Sequence, residues 1–198
     1  RVSRGLGDVD KRQVYDVNPD AEAVALLAPY KAKIDSMMYR VVGTAEMSMD
    51  RGIPESLLSN LVADVLRGAA VQVLGKPADM GLVNIGGLRN VLTEGPVTCG
   101  NIYEILPFEN SLCVVTLKGT DLNHLFENIA ACGGEGVSGV QLHITKDGKL
   151  LRATVAGKPV VEDRMYTVAT IDYLADGNDG MTALIRAEKR ECLSLIHI

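Results

Sequence analysis

The sequence predicts an α+β domain: a mixed β-sheet with helices packed on it. Three observations carry that expectation. Apolar runs of strand length (Met80–Ile85, Leu112–Leu117, Tyr166–Leu174) are interleaved with stretches of helical spacing. Asp147-Gly148, set between alternating apolar positions, is a hairpin turn and demands antiparallel pairing. The other strands are joined by helix-bearing crossovers, so strands of both connection types share the fold. A chain of 198 residues hides roughly 70% of its unfolded surface as one domain, without needing a disulfide or metal staple.

Taken in order, residues 1–18 are polar and aperiodic, a tail or linker, and residues 19–191 form the domain. Asn18-Pro19 before AEAVALLAPYKAKIDSMM reads as a capped helix with proline at its first position, which Pro29 should kink or split. Tyr39–Met49 reads as extended. Pro54–Gly75 has the strongest helical pattern, with Leu57, Leu58, Leu61, Val62, Val65 and Leu66 on one stripe and Gly75 and Pro77 as its stop. Met80–Ile85 is a buried strand ending abruptly at Gly86-Gly87. Leu112–Leu117 is followed by a helix over Asp121–Cys132, a glycine-rich loop over Gly133–Gly139, and the hairpin VQLHIT…LLRATVAG. Tyr166–Leu174 is the last clear strand and runs into the loop DGNDG. After Glu191 the run CLSLIHI fits no expected element, so 192–198 is set apart as non-native or as a truncated end.

A hydrophobic share of 47% against 23% charged residues excludes wholesale disorder. With 25 acidic against 20 basic residues, the net charge of -5 argues against binding a nucleic-acid polymer. A single nucleotide stays open, because one well-placed arginine suffices. No window reaches the roughly 18–20 unbroken apolar residues of a membrane span, so no transmembrane segment is expected. The chain begins at Arg1, as if any leader had been removed or left out. Cys99, Cys113, Cys132 and Cys192 fall at irregular spacings with no C-x-x-C, and are expected to be buried free thiols.

The chemistry-bearing residues sit at strand ends. NIGGLR places Asn84, Gly86, Gly87 and Arg89 directly after a buried strand. Glycines admit a ligand close to the backbone, and Arg89 offers fixed cationic donors. PFEN holds Phe108 and Asn110 in a proline-bounded loop, and DYLADGNDG ends a strand with Tyr173 and presents Asp179. Each has a plain alternative: a tight turn with a solvated arginine, a core phenylalanine, a solvated loop.

Their combination is specific. N-x-G-G-[IL]-R, then P-F-x-N, then aromatic-L-A-x-G-x-D-G, over about Val41–Arg186, resembles the C-terminal domain of the 5'-nucleotidase family, which includes UDP-sugar hydrolase and 2',3'-cyclic-nucleotide phosphodiesterase. Its form is similar to stand-alone versions of that domain in Bacteroides-like bacteria. The resemblance implies the family fold, a nucleotide or nucleoside ligand and a periplasmic or cell-surface location. It implies Phe108 and Tyr173 as aromatic walls around the base, with Tyr173 where the family usually has phenylalanine. It puts Asn110 at the base edge, Asp179 on the ribose hydroxyls, and Arg89 with Asn84 toward ribose and phosphate.

Two positions depart from the pattern. Five residues before Asn60 the family commonly has a phosphate-contacting arginine, and here Glu55 stands there, with Arg51 one turn back as a possible substitute. Asn178 stands where many members have glycine.

Two-metal phosphoester hydrolysis needs a cluster of His, Asp and Asn ligands. The chain has three histidines, His124, His143 and His197, and no D-x-H or G-N-H-[DE] run. No catalytic residue, metal ligand or cofactor is therefore assigned to this chain. The two divalent ions (zinc or manganese) that the resemblance implies are expected in a metallophosphoesterase domain or partner chain. Whether the chain is itself an enzyme is left open. The alternative reading is a non-catalytic extracytoplasmic interaction module that kept the fold and lost the ligand.

Overall fold

A computed structural model describes residues 18 and 20–193. Helix α1 (Ala21–Met38) is followed by strand β1 (Val41–Ala45), helices α2 (Leu57–Ala69) and α3 (Val71–Leu74), and strand β2 (Met80–Val83). A 3-10 turn over Ile85–Gly87 leads to β3 (Gly95–Thr98), α4 (Cys99–Ile105), β4 (Leu112–Lys118) and α5 (Gly119–Ala131). Then come β5 (Gly136–Ser138), β6 (Val140–Ile144), β7 (Leu150–Val155), β8 (Met165–Ile171), the short α6 (Asp172–Ala175) and β9 (Lys189–Cys192).

The central sheet has the order β5-β2-β8-β4-β9, with β2 parallel to β8 and its other pairings antiparallel. It is the mixed sheet the sequence predicts. Side chains of a strand alternate between faces, and here both faces are covered. Met80, Leu82, Val115, Leu117 and Val168 meet Leu122, Leu125, Phe126 and Ile129 of α5 on one side. Val83, Val114 and Ala169 meet Ala63, Leu66 and Ala70 of α2 and its C-cap on the other. The α2 helix sits low on the sheet because Gly81 and Gly136 leave room: a Cβ on Gly136 would lie 2.7 Å from the Ser59 carbonyl. A smaller cluster (Ala45, Leu58, Leu88, Leu92, Val97, Ile105) lies under the β1–β3 ribbon and α4. The β6–β7 hairpin forms as the Asp147-Gly148 signal predicts, as its own two-stranded sheet.

Several expectations need correction. Helix α1 runs unbroken through Pro29; the carbonyl this proline leaves unpaired, that of Ala25, lies on a helix with no buried residue, where water reaches it. Its N-cap is Asp20, whose carboxylate accepts from the amides of Glu22 and Ala23, and Pro19 lies outside the described residues. The Pro54–Gly75 helix begins only at Leu57, behind a Ser56/Ser59 capping box, and is divided at Ala70 into α2 and α3. Within it, Leu57–Leu74 averages a hydropathy of 1.4, long and apolar enough for a span, yet Leu58, Ala63, Leu66 and Ala70 are core residues. The expected glycine-rich loop contains edge strand β5.

The last predicted strand stops at Ile171. There the Asp172 amide turns to the Ser111 carbonyl, the Asp172 carboxylate accepts from Tyr173 N–H, and 172–175 close into a helical turn. Cys113 and Cys192 stand directly opposite one another on β4 and β9 and form a disulfide, so these two are not the free thiols expected. Cys132 is free but exposed, and Cys99 is half-buried. Residues 1–17 and 194–198 lie outside the described residues, with most of the expected tail and end segment.

Candidate functional site

The sheet topology gathers the three motifs at one end. Strand β2 runs parallel to β8, so Asn84 leaves the sheet on the same side as α6, which follows β8 directly. Strand β4 is antiparallel to β8 with Leu112 opposite Ile171, so the Pro107–Asn110 loop enters on that side too. Strand β5 is antiparallel to β2 with Gly136 opposite Val83, which brings Glu135 beside them.

Asn84, Tyr173 and Asp179 are in direct contact. The buried Asn84 side chain donates through Nδ2 to Asp179 Oδ2 at 2.7 Å. The Tyr173 hydroxyl donates to the other oxygen, Asp179 Oδ1, at 2.9 Å. The Asp179 backbone is left-handed (φ 52°), a conformation that aspartate tolerates better than most residues. Asn178 Nδ2 donates to the Tyr173 carbonyl at 2.8 Å and so ties the loop back to α6. The carboxylate holds the Tyr173 phenol above its ordinary pKa by accepting its proton in a hydrogen bond. Gly87 permits this arrangement: a Cβ there would stand 2.8 Å from Asn84 Oδ1.

The aromatic rings are open to solvent, Phe108 at 56% and Tyr173 at 41% exposure. Asn110 is half-buried and donates its backbone N–H to the Phe108 carbonyl at 3.0 Å, closing a tight loop. Phe108 and Asn110 share the sheet end with the Asn84–Asp179–Tyr173 unit, but no side-chain hydrogen bond joins them to it among the described residues.

The arginines frame the Ile85–Gly87 turn. Arg51 Nη1 donates to the Leu88 carbonyl at 2.5 Å, and Arg89 Nη1 to the Gly86 carbonyl at 3.4 Å. Among the described residues neither takes part in an ion pair. Both therefore keep charge and free N–H groups for an anion. Glu55 does not neutralise them; its Oε2 accepts from Asn60 Nδ2 at 3.0 Å.

Sequence reasoning missed Glu135 and Cys132. The Glu135 carboxyl is buried and accepts the Ile85 N–H at 2.6 Å. Burial pushes its pKa up to about 7, opposed by that hydrogen bond and aided by the nearby Asp179 charge. The Cys132 thiol donates to the Asp179 carbonyl at 3.3 Å, and burial, then the charges of Glu135 and Asp179, raise its pKa. The only signal was one acid among glycines in GGEGVSG, which gives no hint that β5 lies beside β2.

Ring-bearing and arginine-bearing loops thus meet at one end of the mixed sheet of an α+β domain, around a braced carboxylate. Residues 41–186 match the family described as 5'-nucleotidase, C-terminal domain, and the chain belongs to that family. It is 32% identical over 167 residues to Endonuclease YhcR of Bacillus subtilis strain 168, covering 80% of this chain and 13% of that protein. It is 28% identical over 199 residues to an apyrase of Aedes aegypti, covering 89% of this chain and 35% of the apyrase. The crystal structure of a 5'-nucleotidase precursor from Thermus thermophilus superposes with a TM-score of 0.70 at 27% identity, covering 88% of this chain and 38% of that one. The chain thus spans well under half the length of these relatives.

Proposed function

We propose that this domain recognises the nucleoside part of a nucleotide and presents its phosphate to a two-metal phosphoesterase domain on the same or another chain. The observation that carries the reading is the Asn84–Asp179–Tyr173 unit, a braced carboxylate beside an exposed ring at the end of a rigid sheet. Phe108 and Tyr173 are the walls for the base, a contact worth on the order of 1–3 kcal/mol per ring and tolerant of base identity. Asn110 meets the base edge, and Asp179 accepts ribose hydroxyls in charge-assisted bonds. Gly86 and Gly87 keep the turn backbone open, and Arg89 with Arg51 attracts the phosphate.

The hydrolytic step is assigned elsewhere. Among the described residues no three His, Cys, Asp or Glu side chains gather into a metal-holding group, so the zinc or manganese pair of a phosphoesterase does not fit them. The relatives' greater length supports a separate catalytic half. We place the domain in an oxidising location, periplasm or cell surface, on its family resemblance, with which the Cys113–Cys192 disulfide is consistent.

The test is titration calorimetry of the 198-residue chain with adenosine. Saturable binding that weakens in Phe108→Ala and Tyr173→Ala is expected; no heat at millimolar adenosine removes the reading. AMP incubated with the chain alone is expected to release no phosphate until a metallophosphoesterase is added. Glu55, opposite in charge to the family's arginine, favours a second reading: an interaction module that no longer binds nucleotide. An adenosine-dependent rise in melting temperature separates the two, because a ligand of the native state must stabilise it.

A further inference from the structure

The Tyr173 hydroxyl is the feature of the site that its resemblance does not explain, since a phenylalanine would supply the same wall. Its oxygen lies 2.9 Å from Asp179 Oδ1, while Asn84 Nδ2 lies 2.7 Å from Oδ2. A carboxylate offers about four lone-pair positions, two per oxygen. One on each oxygen is thus occupied by a protein donor, and one on each remains. Two acceptors on neighbouring oxygens match the two hydroxyls of a vicinal diol.

Two effects of the brace oppose each other. Each protein donor draws charge from the carboxylate and weakens its remaining bonds. Each also fixes the carboxylate, which sits at the surface on a left-handed residue and would otherwise lose rotamer freedom on binding. Both donors are themselves held: Asn84 is buried behind Gly87, and Tyr173 is on α6 with its carbonyl tied by Asn178. The sign of the Tyr173→Phe effect on adenosine affinity reads which of the two prevails.

Building on the proposed nucleoside reading, we infer that fixation outweighs the loss of charge and that the Tyr173 hydroxyl is a positioning group that sets Asp179 as a bidentate acceptor for a vicinal diol. Its contribution falls only on ligands with a free cis-diol, over and above the stacking that any base receives from the rings. Ligands whose diol is absent or esterified gain nothing from the brace.

The experiment compares adenosine with 2',3'-dideoxyadenosine, by calorimetry, on the wild-type chain and on Tyr173→Phe, Asp179→Asn and the double variant. Tyr173→Phe keeps the ring and is expected to weaken adenosine about five- to tenfold while leaving 2',3'-dideoxyadenosine within about twofold. In Asp179→Asn the further change Tyr173→Phe is expected to have no effect on adenosine. An equal loss for both ligands would mark the hydroxyl as merely structural and overturn the inference, as would an unchanged adenosine affinity in Tyr173→Phe. Absence of adenosine binding by the wild-type chain would instead remove the nucleoside reading and the inference with it.

Discussion

Asn84 and Asp179, 95 residues apart in the chain, meet side chain to side chain with Nδ2 donating to Oδ2 at 2.7 Å. The contact spans the gap between the end of β2 and the loop after α6, and it exists only because β2 and β8 are parallel neighbours. Asn84→Asp sets a second carboxylate against the first in a buried position. Removing the donor while adding like charge is expected to cost roughly 1–3 kcal/mol of stability, read by urea denaturation. Adenosine affinity is expected to fall at least about tenfold, the effect of about 1.4 kcal/mol. An unchanged affinity would separate Asp179 from ligand binding.

Gly87 tests the same contact from behind. A methyl group there would lie 2.8 Å from Asn84 Oδ1, closer than carbon and oxygen approach, so the asparagine side chain must swing aside. Gly87→Ala is expected to turn Asn84 away from Asp179 and abolish adenosine binding. The global cost of such overpacking is about 1–3 kcal/mol, so the fold should survive. Circular dichroism that stays native while calorimetric heat vanishes is the expected pair of results.

Glu55 permits a gain-of-function test. Among the described residues Arg51 and Arg89 flank the Ile85–Gly87 turn without carboxylate partners, while Glu55 adds a negative charge where the family resemblance leads one to expect an arginine. Glu55→Arg is expected to strengthen AMP over adenosine by about fivefold or more at low salt, with the gain shrinking at high ionic strength as charges are screened. The measurement is the ratio of the two dissociation constants at both salt concentrations. A ratio that does not move would place the phosphate away from Glu55.

What the sequence revealed of this site, and what it hid, follows from the range of the forces involved. NIGGLR, PFEN and DGNDG were legible because glycine, proline and aspartate report local backbone geometry directly. The strand boundary at Ile171 was not, because Tyr166–Leu174 continues the apolar pattern and only the pairing of Asp172 with Ser111 ends it. Edge strand β5 was hidden in GGEGVSG, where the glycines serve close packing under α2 rather than turns alone. The Cys113–Cys192 bridge spans 79 residues and depends on strand order, which spacing does not encode. Pro29 misled because the rule against helix-interior proline weakens where water can reach the freed carbonyl. The Asn84–Asp179–Tyr173 unit was named residue by residue, yet its hydrogen bonds required the three-dimensional register.

Glu135 supplies the pH dependence. Its carboxyl is buried at the start of β5, with Ile85 N–H as its donor and the Asp179 charge nearby, and its pKa rises from 4.5 to about 7. The folded chain therefore holds this proton more firmly than the unfolded chain. The stability it contributes is full below pH 4.5 and is lost as pH climbs toward 7, after which burying the ionised group is a constant cost. That cost is on the order of 3 kcal/mol, from the free energy attached to a displaced pKa. Glu135→Gln keeps an acceptor for Ile85 and cannot ionise. Its melting temperature is expected to exceed the wild type by several degrees at about pH 8 and to approach it at about pH 5. A gain of the same size at both pH values would reflect packing rather than titration. A loss at the higher pH would mean that the charge on Glu135 strengthens the Ile85 contact by more than its burial costs.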